Sequence, residues 1–156
     1  MTALVRRATA DDVEHLAPLF DRYRMFYGQA SDLTLASNFL TERLTGDESL
    51  VLLAQDGDAL LGFTQLYPSF SSVRARRTWI LNDLFVAATA RRRGVASLLL
   101  QSAAHFARGD GALRLELETD RDNTGAQALY RSLGWIEFDE SLRFHLPLQA
   151  QVSLPA

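Results

Sequence analysis

The run Thr78–Ala87, TWILNDLFVA, passes through the basic segment ARRRGVAS straight into the apolar stretch LLLQSAAHFA, and this junction restricts the fold more than any other. The first part is rich in β-branched and large apolar residues and reads as a strand. In the last part Val95, Leu98, Leu99, Ser102, Ala103 and Phe106 recur at helical spacing on one face. A strand that feeds an amphipathic helix lays that helix back on a sheet, which places the chain among α/β or α+β folds. Ligands of such units bind at the carboxyl end of the strand, where the helix N-terminus presents unpaired N–H groups. Arg91, Arg92 and Arg93 stand at that end, although the helix dipole disfavours cations there by about 0.3–1 kcal/mol each. Gly94 and Ala96 are small enough for a phosphate to approach the main chain. A bound anion would offset the arginines. A solvated basic loop is the other reading these residues leave open.

The flanking segments complete an alternating pattern. ALVRRAT reads as a first strand. TADD follows as a helix start, with Thr9 or Asp11 as N-cap. Val13, Leu16, Ala17, Phe20, Tyr23 and Tyr27 then recur at helical spacing until Gly28. SDLTLASNFLTERLTGD is a second helix, stopped at Gly46-Asp47. SLVLLAQ, the turn DGD and ALLGFTQLY form a hairpin. PSFSSVRARR reads as a polar connection. Beyond the basic helix, ALRLELET alternates with Leu113, Leu115 and Leu117 on one side, NTGAQALYRSLGW is a short helix closed by Gly134, and WIEFD and LRFHLPL are two final strands. The expected architecture is one domain with a mixed, mostly antiparallel sheet of about seven strands and about four helices.

Composition narrows the chemistry. With a net charge of −3 over 156 residues, no basic field recruits nucleic acid or an anionic membrane. The arginines cluster at 74–77 and 91–93, which points to local anion binding. The absence of cysteine removes thiol nucleophiles, disulfides and thiolate metal sites. His15, His105 and His145 make no His-x-x-x-His pair, and Ser69, Ser71 and Ser72 no Gly-x-Ser-x-Gly elbow, so no metal or serine-triad site is expected. No apolar run has signal-peptide or membrane-spanning character, and a cytoplasmic protein is the expectation.

Arg91-x-x-Gly94-x-Ala96 resembles the pyrophosphate loop of GNAT-superfamily N-acetyltransferases, and DNTGAQALYRSLGW, with Asn123, Ala128, Tyr130 and Gly134, resembles their second coenzyme segment. The strand order also resembles theirs, so the likeness spans residues 1–148 as an N-acetyltransferase domain, with 149–156 as a tail. Around WILNDLFV the chain is most similar to the spermidine/spermine type. The resemblance implies a site between two splayed parallel strands, with acetyl-CoA as co-substrate and no metal. It implies that Leu84, Phe85 and Val86 pair with the pantetheine arm. Backbone amides of Arg91, Arg92, Arg93, Gly94, Val95, Ala96 and Ser97 would hold the diphosphate, with Asn123 on the pantetheine or adenine side. Arg92 takes a position often held by glycine, adding charge without obvious cost. A homodimer is also implied.

For the reaction, the resemblance implies that the Tyr130 phenol protonates the departing sulfur; the residues alone equally suit a packing tyrosine beside Leu129 and Leu133. The spermidine/spermine type has a Glu-Asp pair where this chain has Asn82-Asp83, and Asn82 cannot take a proton. Asp83, lining the acceptor pocket or acting through water, is the candidate base. Glu116, Glu118 and a water chain remain as alternatives. Tyr23, Phe26, Tyr27, Asp32 and Asn82 are expected around a small-molecule amine, with Phe70 as a cover. Protein lysine or N-terminal acetylation and non-catalytic acyl-CoA binding are the competing functions.

Overall fold

A computed structural model describes residues 2–149. Its sheet has five strands in the order β1-β2-β3-β4-β5. They are β1 (Leu4–Arg7), β2 (Leu50–Asp56), β3 (Ala59–Ser71), β4 (Arg76–Val86) and β5 (Leu115–Glu116). Neighbours are antiparallel except β4 and β5, which run parallel. The helices are α1 (Val13–Phe26), α2 (Leu33–Thr45), α3 (Val95–Gly109) and α4 (Thr124–Ser132).

Local chemistry accounts for the helix starts. Thr9 begins a capping box whose other half is the Asp12 carboxylate on the Thr9 N–H, and a short 3-10 turn leads from it into α1. Asp11, the alternative cap, is not used. Asp32 caps α2 by accepting from the Leu35 N–H. Asn123 caps α4 by accepting from the Ala126 N–H. Gly94, with φ +76°, opens α3 in a conformation that a side chain would strain.

The core lies on both faces of β2, β3 and β4. Successive β3 residues point to opposite faces. Phe63 meets the rings of Phe20 and Tyr23 on α1. A side chain at Gly62 would meet Val95 on α3. The two helices therefore cover opposite faces. Phe63, Leu66, Leu99 and Leu100 are fully buried.

The β3–β4 pairing steps from Gln65↔Asp83 to Leu66↔Leu81, so Asn82 is an extra, bulged residue in β4. Such a bulge bends the strand and re-aims its side chains.

Three expectations are corrected. The sheet has five strands among the described residues, because WIEFD and LRFHLPL form none and ALRLELET pairs only at Leu115–Glu116. Alternation reports propensity, whereas a strand needs a ladder partner, and β5 ends after two residues. Ile136, Phe138, Leu142 and Phe144 consequently stand exposed. PSFS belongs to β3 and the connection shrinks to residues 72–75. Finally, Arg76 donates to the Gly111 carbonyl and ties β4 to the loop after α3, while Arg77 stacks over Phe70 and Trp79 across the hairpin, so both serve the fold. The expected tail, apart from Gln149, lies outside the described residues.

Candidate active site

The parallel strands separate soon after they meet. β4 pairs with β5 only at Trp79↔Leu115 and Ile80↔Glu116. From Leu81 to Val86 the outer edge of β4 has no strand partner among the described residues, leaving an open edge for an extended ligand. A cleft of about 260 Å³ opens along this edge, with Leu84, Phe85 and Val86 on one wall and Leu117, Glu118 and Thr119 on the other. Arg91, Ala96 and Asn123 line it beside the starts of α3 and α4, and Tyr23, Phe26 and Tyr27 line it from the last turn of α1.

The end near α3 suits a diphosphate. The first-turn N–H groups of a helix have no intrahelical acceptor. Among the described residues, none of those from Gly94 to Ser97 bonds to another backbone carbonyl. Among the described residues, Arg91, Arg92 and Arg93 form no ion pair. The Arg91 guanidinium lies 5.7 Å from the Phe85 ring centre, and its Nε donates to the Val86 carbonyl. Arg92 has φ +61°, so replacing glycine here does carry a cost, about 1 kcal/mol or more for a left-handed side-chain residue. The Val95 side chain is buried in the core, which leaves only its N–H for a ligand. Asn123 lines the cleft, but its side-chain oxygen is committed to the Ala126 N–H and only the amide N–H₂ is left over. These features fit acetyl-CoA: donors for a diphosphate, an open strand edge for amide groups, and unpaired cations. Among the described residues no cluster of side chains could hold a metal ion.

The wall formed by α1 is aromatic, and a charge stands behind it. Tyr23 contacts the rings of Tyr27 and Phe85, and Phe26 contacts Tyr27 and Phe85. Tyr23 and Asn82 line the cleft, whereas Asp83 lies one layer deeper and is buried. Asp83 Oδ1 accepts from the Tyr23 hydroxyl at 3.0 Å and from Asn82 Nδ2 at 2.9 Å. Its Oδ2 accepts from Gln65 Nε2, and Ser49 donates to the same glutamine's oxygen. Burial pushes the Asp83 carboxyl above the usual carboxylate range against the opposing pull of these three donors. Among the described residues no arginine or histidine pairs with it. Burial, then the Asp83 charge, pushes the Tyr23 phenol far above its ordinary value.

Tyr130 projects from α4 into the same cleft, beside the Trp135 ring. Burial, followed by Tyr27, raises its pKa. It therefore stays protonated at neutral pH and can donate.

Several expected residues lie elsewhere. Asp32 is outside the cleft wall, its carboxylate spent on capping α2. Phe70 is exposed on β3 under Arg77 and covers nothing in the cleft. Glu116 pairs with Arg114 on the surface. Glu118 does line the cleft, and it pairs with Arg143. Gln65 and Ser49 escaped the sequence reading. Their signal was the polar pair Thr64-Gln65 inside an apolar strand, where buried polar groups demand partners.

Residues 14–135 match the profile of the acetyltransferase (GNAT) family. The chain is 47% identical over 133 residues to the uncharacterized N-acetyltransferase YhfO of Bacillus subtilis, covering 85% of this chain and 89% of that one. It is 31% identical over 101 residues to an aminoglycoside N(6')-acetyltransferase type 1 of Klebsiella aerogenes, covering 64% and 66%. A crystal structure of a probable acetyltransferase superposes with a TM-score of 0.90 at 44% identity, covering 95% and 99%. With its splayed β4–β5 cleft, its loop before α3 and these relatives, the chain belongs to the acetyltransferase (GNAT) family and is an N-acetyltransferase.

Proposed function

We propose that this enzyme transfers the acetyl group of acetyl-CoA directly to the primary amine of a small molecule: a polyamine, an amino acid or an amine metabolite. The observation that carries this reading is the buried Asp83 carboxylate, which has no cationic partner among the described residues and stands behind an aromatic wall. Buried charges are costly unless paired. An ammonium in the cleft supplies the missing charge, and Tyr23, Phe26 and Tyr27 offer their rings to it. The Klebsiella relative, whose name gives an aminoglycoside as acceptor, is in keeping with an amine-bearing small molecule. The finer likeness to the spermidine/spermine type has no counterpart in the relatives' names, so the class is left at small amines.

The division of labour follows from the cleft. N–H groups at Gly94–Ser97 and the nearby arginines take the diphosphate, and the open edge at Leu84–Val86 takes the pantetheine amides. This aims the thioester at Tyr130, whose phenol delivers a proton to the departing sulfur. The acceptor must lose a proton before it can attack. An alkylammonium with a pKa of about 10.4 is neutral in only about one molecule in a thousand near pH 7.4.

The test follows free-thiol release from acetyl-CoA with a panel of amines, amino acids and peptides. All 16 cationic side chains are arginine, so lysine self-acetylation cannot contribute a background. Turnover with small amines is expected. Turnover with peptides alone would transfer the assignment to protein acetylation, and none with any acceptor would leave a non-catalytic acyl-CoA-binding module.

A further inference from the structure

We infer that the acceptor's proton leaves through Tyr23, whose phenol stands between the cleft and Asp83. The inference rests on the amine reading above and adds to it the group that touches the amine. Tyr23 lines the cleft and Asp83 does not. The carboxylate already receives Gln65 on one oxygen, and Asn82 and Tyr23 on the other. Gln65 is held in turn by Ser49. Contact between the acceptor and Asp83 therefore runs through one of the two wall residues. The Asn82 side-chain nitrogen only donates. The Tyr23 hydroxyl both donates and accepts: with its O–H turned to Asp83, its oxygen is left to accept from a donor in the cleft. The Asn82 carbonyl lies 3.5 Å from the same hydroxyl and is the more distant of its two partners.

One N–H bond of the ammonium breaks as its proton joins the Tyr23 oxygen. The Tyr23 O–H bond breaks as that proton joins Asp83 Oδ1. Nitrogen keeps the electron pair for attack on the thioester carbon, Tyr23 ends neutral as it began, and Asp83 becomes a carboxylic acid. Its hydrogen bond with Tyr23 reverses direction while Gln65 and Asn82 keep donating, so no side chain has to move. After attack, nitrogen carries a second surplus proton, which balances the one that Tyr130 gives to the sulfur. The proton on Asp83 returns to water through Tyr23 when the product leaves.

The surroundings favour this direction of travel. The groups facing Asp83 are Tyr23 on α1, Tyr27 just after it, Gln65 and Tyr67 on β3, and Asn82 on β4. Arg43 on α2 acts on Tyr67, and Tyr27 acts on Tyr23. Burial makes the carboxylate more basic and an enclosed ammonium more acidic, which brings donor and acceptor together.

The experiment compares Tyr23→Phe with the unaltered enzyme on two amines of matched shape, a strongly basic alkylamine and its fluorinated, weakly basic analogue. The phenylalanine keeps the ring contacts with Phe63 and Phe85. For the basic amine kcat/KM should fall about 100-fold at neutral pH, and for the weakly basic one, which arrives largely neutral, less than about 5-fold. The deficit with the basic amine should shrink as pH rises toward its own pKa. Equal losses with both amines, or no loss, would overturn the relay. A second variant, Gln65→Met, removes a donor to Asp83 and should move the acidic limb of kcat/KM to higher pH. An unmoved limb would overturn the relay even if Tyr23→Phe does not fold. Should the unaltered enzyme release no thiol with either amine, the amine reading falls and takes the relay with it; turnover with equal losses removes the relay alone.

Discussion

Burial raises the pKa of both Tyr130 and Asp83, with opposite consequences for the form each must take. Burial keeps the Tyr130 phenol protonated, ready to donate. Tyr130→Phe should therefore lower kcat about 100-fold while leaving acetyl-CoA affinity within about twofold; unchanged turnover would return Tyr130 to a packing role. For Asp83 burial is a liability, since its charge is desolvated and has no cation beside it. Asp83→Asn should raise stability by about 1 kcal/mol, roughly 3 °C in Tm, and lower kcat/KM about 100-fold. Gln65 can accommodate the amide by turning over, because the Ser49 hydroxyl is able to accept as well as donate. A thermal melt showing lost stability together with full activity would contradict the assignment. Both residues are candidates in the sequence, but no sequence pattern places Asp83 behind the wall. That position depends on the bulge at Asn82, a feature of strand register that no local pattern announces. Asp32 misled for the converse reason: a carboxylate ahead of a helix serves equally as a cap or as a pocket wall, and only the fold decides.

At the scale of elements, β4 is the strand on which the cleft depends, and β3 sets its position. Gly62 permits the close approach: a Cβ there would stand 2.7 Å from the Phe85 carbonyl oxygen and 3.3 Å from Val95 Cγ1. Gly62→Ala should cost about 1–3 kcal/mol and several degrees in Tm, and should weaken acetyl-CoA binding by displacing the strand edge. An unaltered melting curve would show that β3 and β4 have room to spare. The loop before α3 makes a separate contribution through charge. Arg91→Ala and Arg93→Ala should each weaken acetyl-CoA binding about 5–30-fold by calorimetry, less at high salt. Unchanged affinity for both would return them to a solvated loop. This unit was legible because its signals are local: a strand, small residues, a cap and a helical stripe. WIEFD and LRFHLPL were misread because period-2 alternation gives no information about whether a partner edge exists.

Across the whole molecule, acid stability rests on carboxylates outside the cleft wall. The Arg6 guanidinium holds Asp12 below its ordinary range. The Ser31 hydroxyl, then the Asp32 N–H and Arg24, do the same for Asp21. Depressed groups stabilise the fold above their unfolded pKa of about 3.9, and that contribution disappears as pH falls through the folded values. Asp83 works in reverse, favouring the fold below its unfolded pKa and losing that contribution as pH rises through its raised folded value. Thermal melts from pH 7 to 2 should show stability falling below about pH 4, with a shallower fall in Asp21→Asn. An identical acid limb would remove Asp21 from this role. The mixed sheet, the four helices and the loop before α3 were readable from the chain because their signals are local. The acceptor end was readable only in part, because it is assembled by α1, β3 and β4 across more than 50 residues of sequence. The most direct test is a crystal structure with acetyl-CoA bound. The diphosphate should rest on the N–H groups of Gly94–Ser97, the pantetheine along Leu84–Val86, and the sulfur within hydrogen-bonding reach of the Tyr130 hydroxyl. A coenzyme bound elsewhere, or a sulfur turned away from Tyr130, would contradict it.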